Sequence, residues 1–183
     1  MDPQQRELVE KIIEWRHTFV ANGLTDETKE LANDIAQGFE ERYENGTSGM
    51  SYFTLQNARN FYDVAGNDAA QAHMETELEN YNFTGGRTLE TFVQDMMASG
   101  NVAEAAGIVA IWEDPKNPDT PSWKSIQDDL QGQGFQNAAL SDLQYMFARA
   151  HSGETFNTQE PAQVMVADYQ PDTPKAELSS MMV

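Results

Sequence analysis

Apolar residues recur at helical spacing along most of the chain, and each run is bounded by capping or breaking residues. Asp2-Pro3 opens a first helix as cap and first-turn proline. Leu8, Ile12, Trp15 and Phe19 line one face of it, with Val9, Ile13 and Val20 beside them, and Asn22-Gly23 ends it. Thr25 caps a second helix. Asp26 and Glu27 lie in its first turn, where the helix dipole favours them, and Leu31, Ile35, Phe39 and Tyr43 form its stripe. Residues 46–51 read as a flexible connection after Asn45-Gly46. A third helix carries Leu55, Ala58, Phe61, Tyr62 and Ala65 and stops at Gly66; a fourth starts at Asn67-Asp68 and carries Ala70, Met74, Leu78 and Tyr81.

The densest apolar stretch runs from Thr88 to Trp112. Leu89, Phe92, Val93, Met96 and Met97 make one stripe, and Ser99-Gly100 breaks it. Asn101 restarts the pattern with Glu104 three residues on, close to a capping box. Val102, Ala105, Ala106, Val109 and Trp112 follow. So short a break predicts two touching, nearly antiparallel helices. Ala103, Ala105, Ala106, Gly107 and Ala110 are small enough for close approach, so this pair is expected in the middle of the core.

Pro115, Pro118 and Pro121 then interrupt regular structure. Thr120-Pro121 predicts the start of a seventh helix with Trp123, Ile126 and Leu130 inward. An eighth carries Leu140, Leu143, Met146, Phe147 and Ala150, closed by Ser152-Gly153. From Glu154 the helical period is lost, and Pro161, Pro171 and Pro174 punctuate the remainder. Its one strand-like run, residues 163–169, is too short to be stable alone. The expected fold is all-α: a bundle of about eight short helices over residues 1–153, with an extended C-terminal arm over 154–183.

At 183 residues the chain is long enough to bury a core without staples. It contains no cysteine, which removes disulfides, thiolate metal sites and cysteine nucleophiles. The net charge of −19 changes the picture most. It argues against direct contact with a nucleic-acid backbone or an anionic membrane, and favours basic partners. The acids are spread along the chain rather than gathered in a tail. With no apolar run of membrane-spanning length and no signal-peptide pattern, a cytoplasmic or virion location is expected. The triplets Asn45-Gly46-Thr47 and Asn82-Phe83-Thr84 then carry little meaning as glycosylation sites.

Candidate chemistry is sparse. His73 and Glu77 lie four apart on the fourth helix, but carboxylate-bridged bundles use Glu-x-x-His, a spacing the chain is expected to lack, so the pair reads as a solvated contact. His17 and His151 have no sequence relation to a nucleophile. A calcium loop counted from Asp114 would need Gly and Glu where Asp119 and Ser125 stand. No cofactor or metal is assigned.

The expected role is therefore non-enzymatic: an interaction subunit of a larger assembly, binding protein partners and forming a homo- or hetero-oligomer. Val164, Val166, Tyr169, Leu178 and Met181 are the candidate apolar anchors of the arm. Tyr52, Phe53 and Trp123, at helix starts beside loops, are candidates for an exposed contact patch. Two alternatives stand beside this reading. One is an acidic inhibitor that imitates nucleic acid, which a segregated stripe of carboxylates would favour. The other is an enzyme or metal protein whose residues, His17, His73 or His151 among them, meet only in space.

Overall fold

The computed structural model describes residues 1–81, 88–113 and 121–139. Within them the chain is all-α, with seven helices: α1 (Pro3–Asn22), α2 (Asp26–Glu44), α3 (Ser51–Ala65), α4 (Asp68–Leu78), α5 (Leu89–Ala98), α6 (Val102–Trp112) and α7 (Lys124–Gly132). The eighth helix expected over residues 140–150, and the arm, lie outside the described residues.

Local chemistry explains most boundaries. The Asp2 carboxylate accepts the Gln5 N–H at 2.8 Å, and Thr25 and Thr28 cap α2 reciprocally. Gly66 ends α3 in the left-handed conformation, φ 74°, where a side chain would be strained.

Three boundaries differ from expectation. Asn101 does not cap α6. Its side-chain oxygen accepts the Gly49 N–H at 3.1 Å and its amide donates to Ser99 Oγ. The α6 terminus is capped from α1 instead. Gln5 Oε1 accepts the Ala103 N–H and Gln5 Nε2 donates to the Gly100 carbonyl, both at 3.1 Å. α7 starts at Lys124 rather than at Pro121, because Trp123 is buried and its N–H is held by Glu113. The connection expected to be flexible is tethered: Thr47 N–H reaches the Arg42 carbonyl, and Ser48 Oγ accepts from Met50 N–H and pairs with the Thr54 hydroxyl at 2.5 Å.

α5 and α6 touch, as expected, but only α6 is central. Every residue from Val102 to Trp112 is buried, and α6 packs on α1, α3 and α5. α5 is one-sided, burying Leu89, Phe92, Val93 and Met96. α3 is expected from its pattern to bury one stripe and is instead buried on nearly all sides, packed against α2, α4 and α6. Aromatic rings join these layers. Trp15 stacks on Phe19 and meets Phe61 edge-on, each at 5.3 Å between centroids, and Phe53 lies 5.1 Å from Phe92.

Two buried ion pairs pin α6 at its ends. Near its start, Arg42 of α2 makes a bidentate pair with Glu104, Nε to Oε2 at 3.1 Å and Nη2 to Oε1 at 2.8 Å. Thr54 Oγ1 of α3 also donates to Glu104 Oε2. At its far end, Arg16 of α1 donates to Glu113 Oε2 at 2.8 Å. Glu104 is thus turned into the core and has no part in a capping box.

Burial also sets a response to alkali. Desolvation pushes the Tyr52 phenol up to about 12, while in the unfolded chain it ionises near 10. Tyr62 shifts the same way, first by burial and then by the Glu40 carboxylate to which it donates a hydrogen bond. The native state therefore holds protons that the unfolded chain releases. Stability is full below pH about 10 and falls as pH rises toward 12. Denaturant midpoints measured from pH 8 to 12 should show this fall, and Tyr52→Phe should remove part of it.

Candidate interaction surface

Tyr52, Phe53 and Trp123 do not form an exposed patch. Their relative exposures are 8%, 0% and 0%. Tyr52 packs edge-on against Phe53 and Tyr81. The Trp123 ring carries the Arg16 guanidinium 4.3 Å from its centroid, and its indole N–H donates to the Ala138 carbonyl. These helix starts beside loops are places where the core closes. Val164, Val166, Tyr169, Leu178 and Met181 lie outside the described residues. Among the described residues the large hydrophobic side chain left exposed is Met1, so no apolar face is on offer there.

The histidines do not converge on a site. His73 is exposed, and Glu77 Oε2 accepts the Tyr43 hydroxyl at 3.3 Å. His17 lines a shallow cavity of about 380 Å³ with Glu10, Ile13, Glu14, Gln136 and Asn137, and its Nε2 pairs with the Asn137 carbonyl. Glu14 and His17 do stand at Glu-x-x-His spacing, which corrects the expectation that the chain lacks it. No group of three or more His, Asp or Glu that could hold a metal ion is gathered among the described residues. His151 lies outside them. No helix among the described residues is long and apolar enough to cross a membrane.

The surface is more acidic than composition alone suggests. Of seven Lys and Arg among the described residues, Arg16, Arg42 and Arg59 are buried, each paired with a carboxylate. Of 22 Asp and Glu among them, only Glu104 and Glu113 are buried. The core therefore withdraws cations from the surface more strongly than anions.

The most ordered array of carboxylates is the outer face of α2. Asp26, Glu27, Glu30, Asp34, Glu41 and Glu44 are all exposed. At about 100° per residue they share one side of the helix, opposite the buried Ala32, Ile35, Ala36 and Phe39. From residue 26 to 44 this stripe is about 27 Å long at 1.5 Å per residue. Its first half borders an open polar depression of about 750 Å³, lined by Asp26, Lys29, Glu30, Asn33, Asp34 and Ala65. Glu40, Glu41 and Glu44 sit in the last turns of α2, where the helix dipole disfavours anions. The one basic residue there, Arg42, is turned into the core.

Compared with protein-family models, curated proteins and solved structures, the chain matches none.

Proposed function

We propose that this protein is a non-enzymatic interaction subunit of a larger assembly, virion-like or of similar kind, that engages a basic protein partner. The carrying observation is the stripe of exposed carboxylates along α2, on a body that buries three of its cations and exposes no apolar patch among the described residues. Such a face attracts a partner by charge. Apolar anchoring would fall to the arm, through Val164, Val166, Tyr169, Leu178 and Met181.

Affinity capture from the source cells tests this, using the native chain, the chain without residues 154–183, and a variant with Glu30→Gln, Asp34→Asn, Glu41→Gln and Glu44→Gln. The native chain should retain a basic partner, and the neutralised chain should lose it while remaining folded. Retention of the same partner by the neutralised chain would refute a role for the stripe.

A second reading, an inhibitor imitating nucleic acid, is favoured by the same geometry. Six carboxylates over that length are spaced by roughly 5–6 Å on average along the axis, against one phosphate per about 3.4 Å along a DNA strand. If this holds, the captured partner binds nucleic acid and duplex DNA displaces the protein from it.

A further inference from the structure

We propose that residues 121–139, comprising α7 and its flanks, form a strap that opens from α1 as a unit while the α1–α6 body stays folded. This opening does not depend on what the acidic face binds.

Two observations carry it. First, among the described residues α7 is absent from the more extensive helix–helix packing, which joins α1 to α6 into one body. Second, much of the fastening is polar and comes from α1. Arg6 donates to the Gln133 and Gly134 carbonyls, both at 3.2 Å, and lies 4.5 Å above the Phe135 ring. Arg16 stacks on Trp123 and pairs with Glu113, whose other oxygen accepts the Trp123 N–H at 2.9 Å. His17 meets the Asn137 carbonyl.

Trp123, Ile126, Leu130, Phe135 and Ala138 are the hydrophobic side chains the strap buries. A single short helix with its flanks, fastened in good part by a polar clasp, has the character of a segment that opens below the global unfolding free energy. Opening would bring Trp123 to the surface, so a contact role for that residue belongs to the open form alone.

Native-state hydrogen exchange on the full chain, read by peptide or by residue across a range of sub-denaturing denaturant, tests the strap. The α7 amides should exchange at least about tenfold faster than those of α3 and α6, through an opening with weaker denaturant dependence. Arg6 is partly exposed, so Arg6→Ala leaves the body intact; it should accelerate α7 exchange by about tenfold again and leave α3 and α6 unchanged. Equal protection and equal denaturant dependence in α7 and α6 would overturn the proposal. So would an Arg6→Ala effect of the same size in both.

Discussion

Glu104→Ala should destabilise the protein by about 3–5 kcal/mol, the range seen when one partner of a buried ion pair is removed. The substitution leaves the Arg42 guanidinium buried at 1% exposure with its bidentate acceptor gone. Thr54 Oγ1 loses an acceptor as well. Arg42→Ala should cost a similar amount by stranding the carboxylate. The double replacement Arg42→Met with Glu104→Leu should recover most of the loss, because two apolar groups of similar volume need no partner. Denaturant unfolding of the four proteins checks this. A Glu104→Ala loss below about 1 kcal/mol would place the pair in the weak class of solvated ion pairs.

Gly107→Ala should be the next most damaging of the small changes. A Cβ there would stand 2.6 Å from Asn57 Oδ1 and 2.9 Å from Phe39 Cζ, so α6 meets α3 and α2 through a residue with no side chain. Overpacking of this kind costs about 1–3 kcal/mol, and the better helix propensity of alanine offsets at most about 1 kcal/mol. Asn57 also donates to the Glu104 carbonyl at 3.0 Å, so displacing it disturbs the ion-pair region. Gly132 in α7 is the matched control, because a Cβ added there would meet no atom within 4 Å. Gly132→Ala should be neutral or stabilising. Thermal or denaturant midpoints of the two variants should move in opposite directions, or the two stabilities should differ by well over about 1 kcal/mol.

Helix order and the identity of the apolar stripes were legible because periodic burial and capping residues are local signals. Leu8, Ile12, Trp15 and Phe19 all entered the core, and Thr25 and Asn67 both cap. The polar interior was harder to read, because its meaning depends on pairing across distance in the chain. Glu104 follows Asn101 by three residues, which imitates a capping box and hides an inward role. A signal was nevertheless present. Glu104 is the lone charge in a helix otherwise apolar on every side, and such a group needs a buried partner. Arg16 follows Ile12 by four positions and Arg42 follows Ile35 by seven, so both bases sit on apolar stripes. Charges on a stripe are the ones to pair first.

The acidic face was legible only as composition. Net charge indicated a basic partner, but the acids are dispersed in sequence, and the helical turn of α2 is what aligns six of them. The exposed aromatic patch failed for the opposite reason. Tyr52, Phe53 and Trp123 lie next to loops in sequence, yet those loops end where α3 and α7 enter the core.

Whether the α2 carboxylates recruit the captured partner is decided by how that complex responds to salt. Affinity should fall steeply between about 50 and 300 mM salt for the native chain, as screening shortens the reach of exposed charges. The chain carrying Glu30→Gln, Asp34→Asn, Glu41→Gln and Glu44→Gln should bind more weakly at low salt and respond less to added salt. An affinity indifferent to salt, or unchanged by those four substitutions, would rule out recruitment by this face.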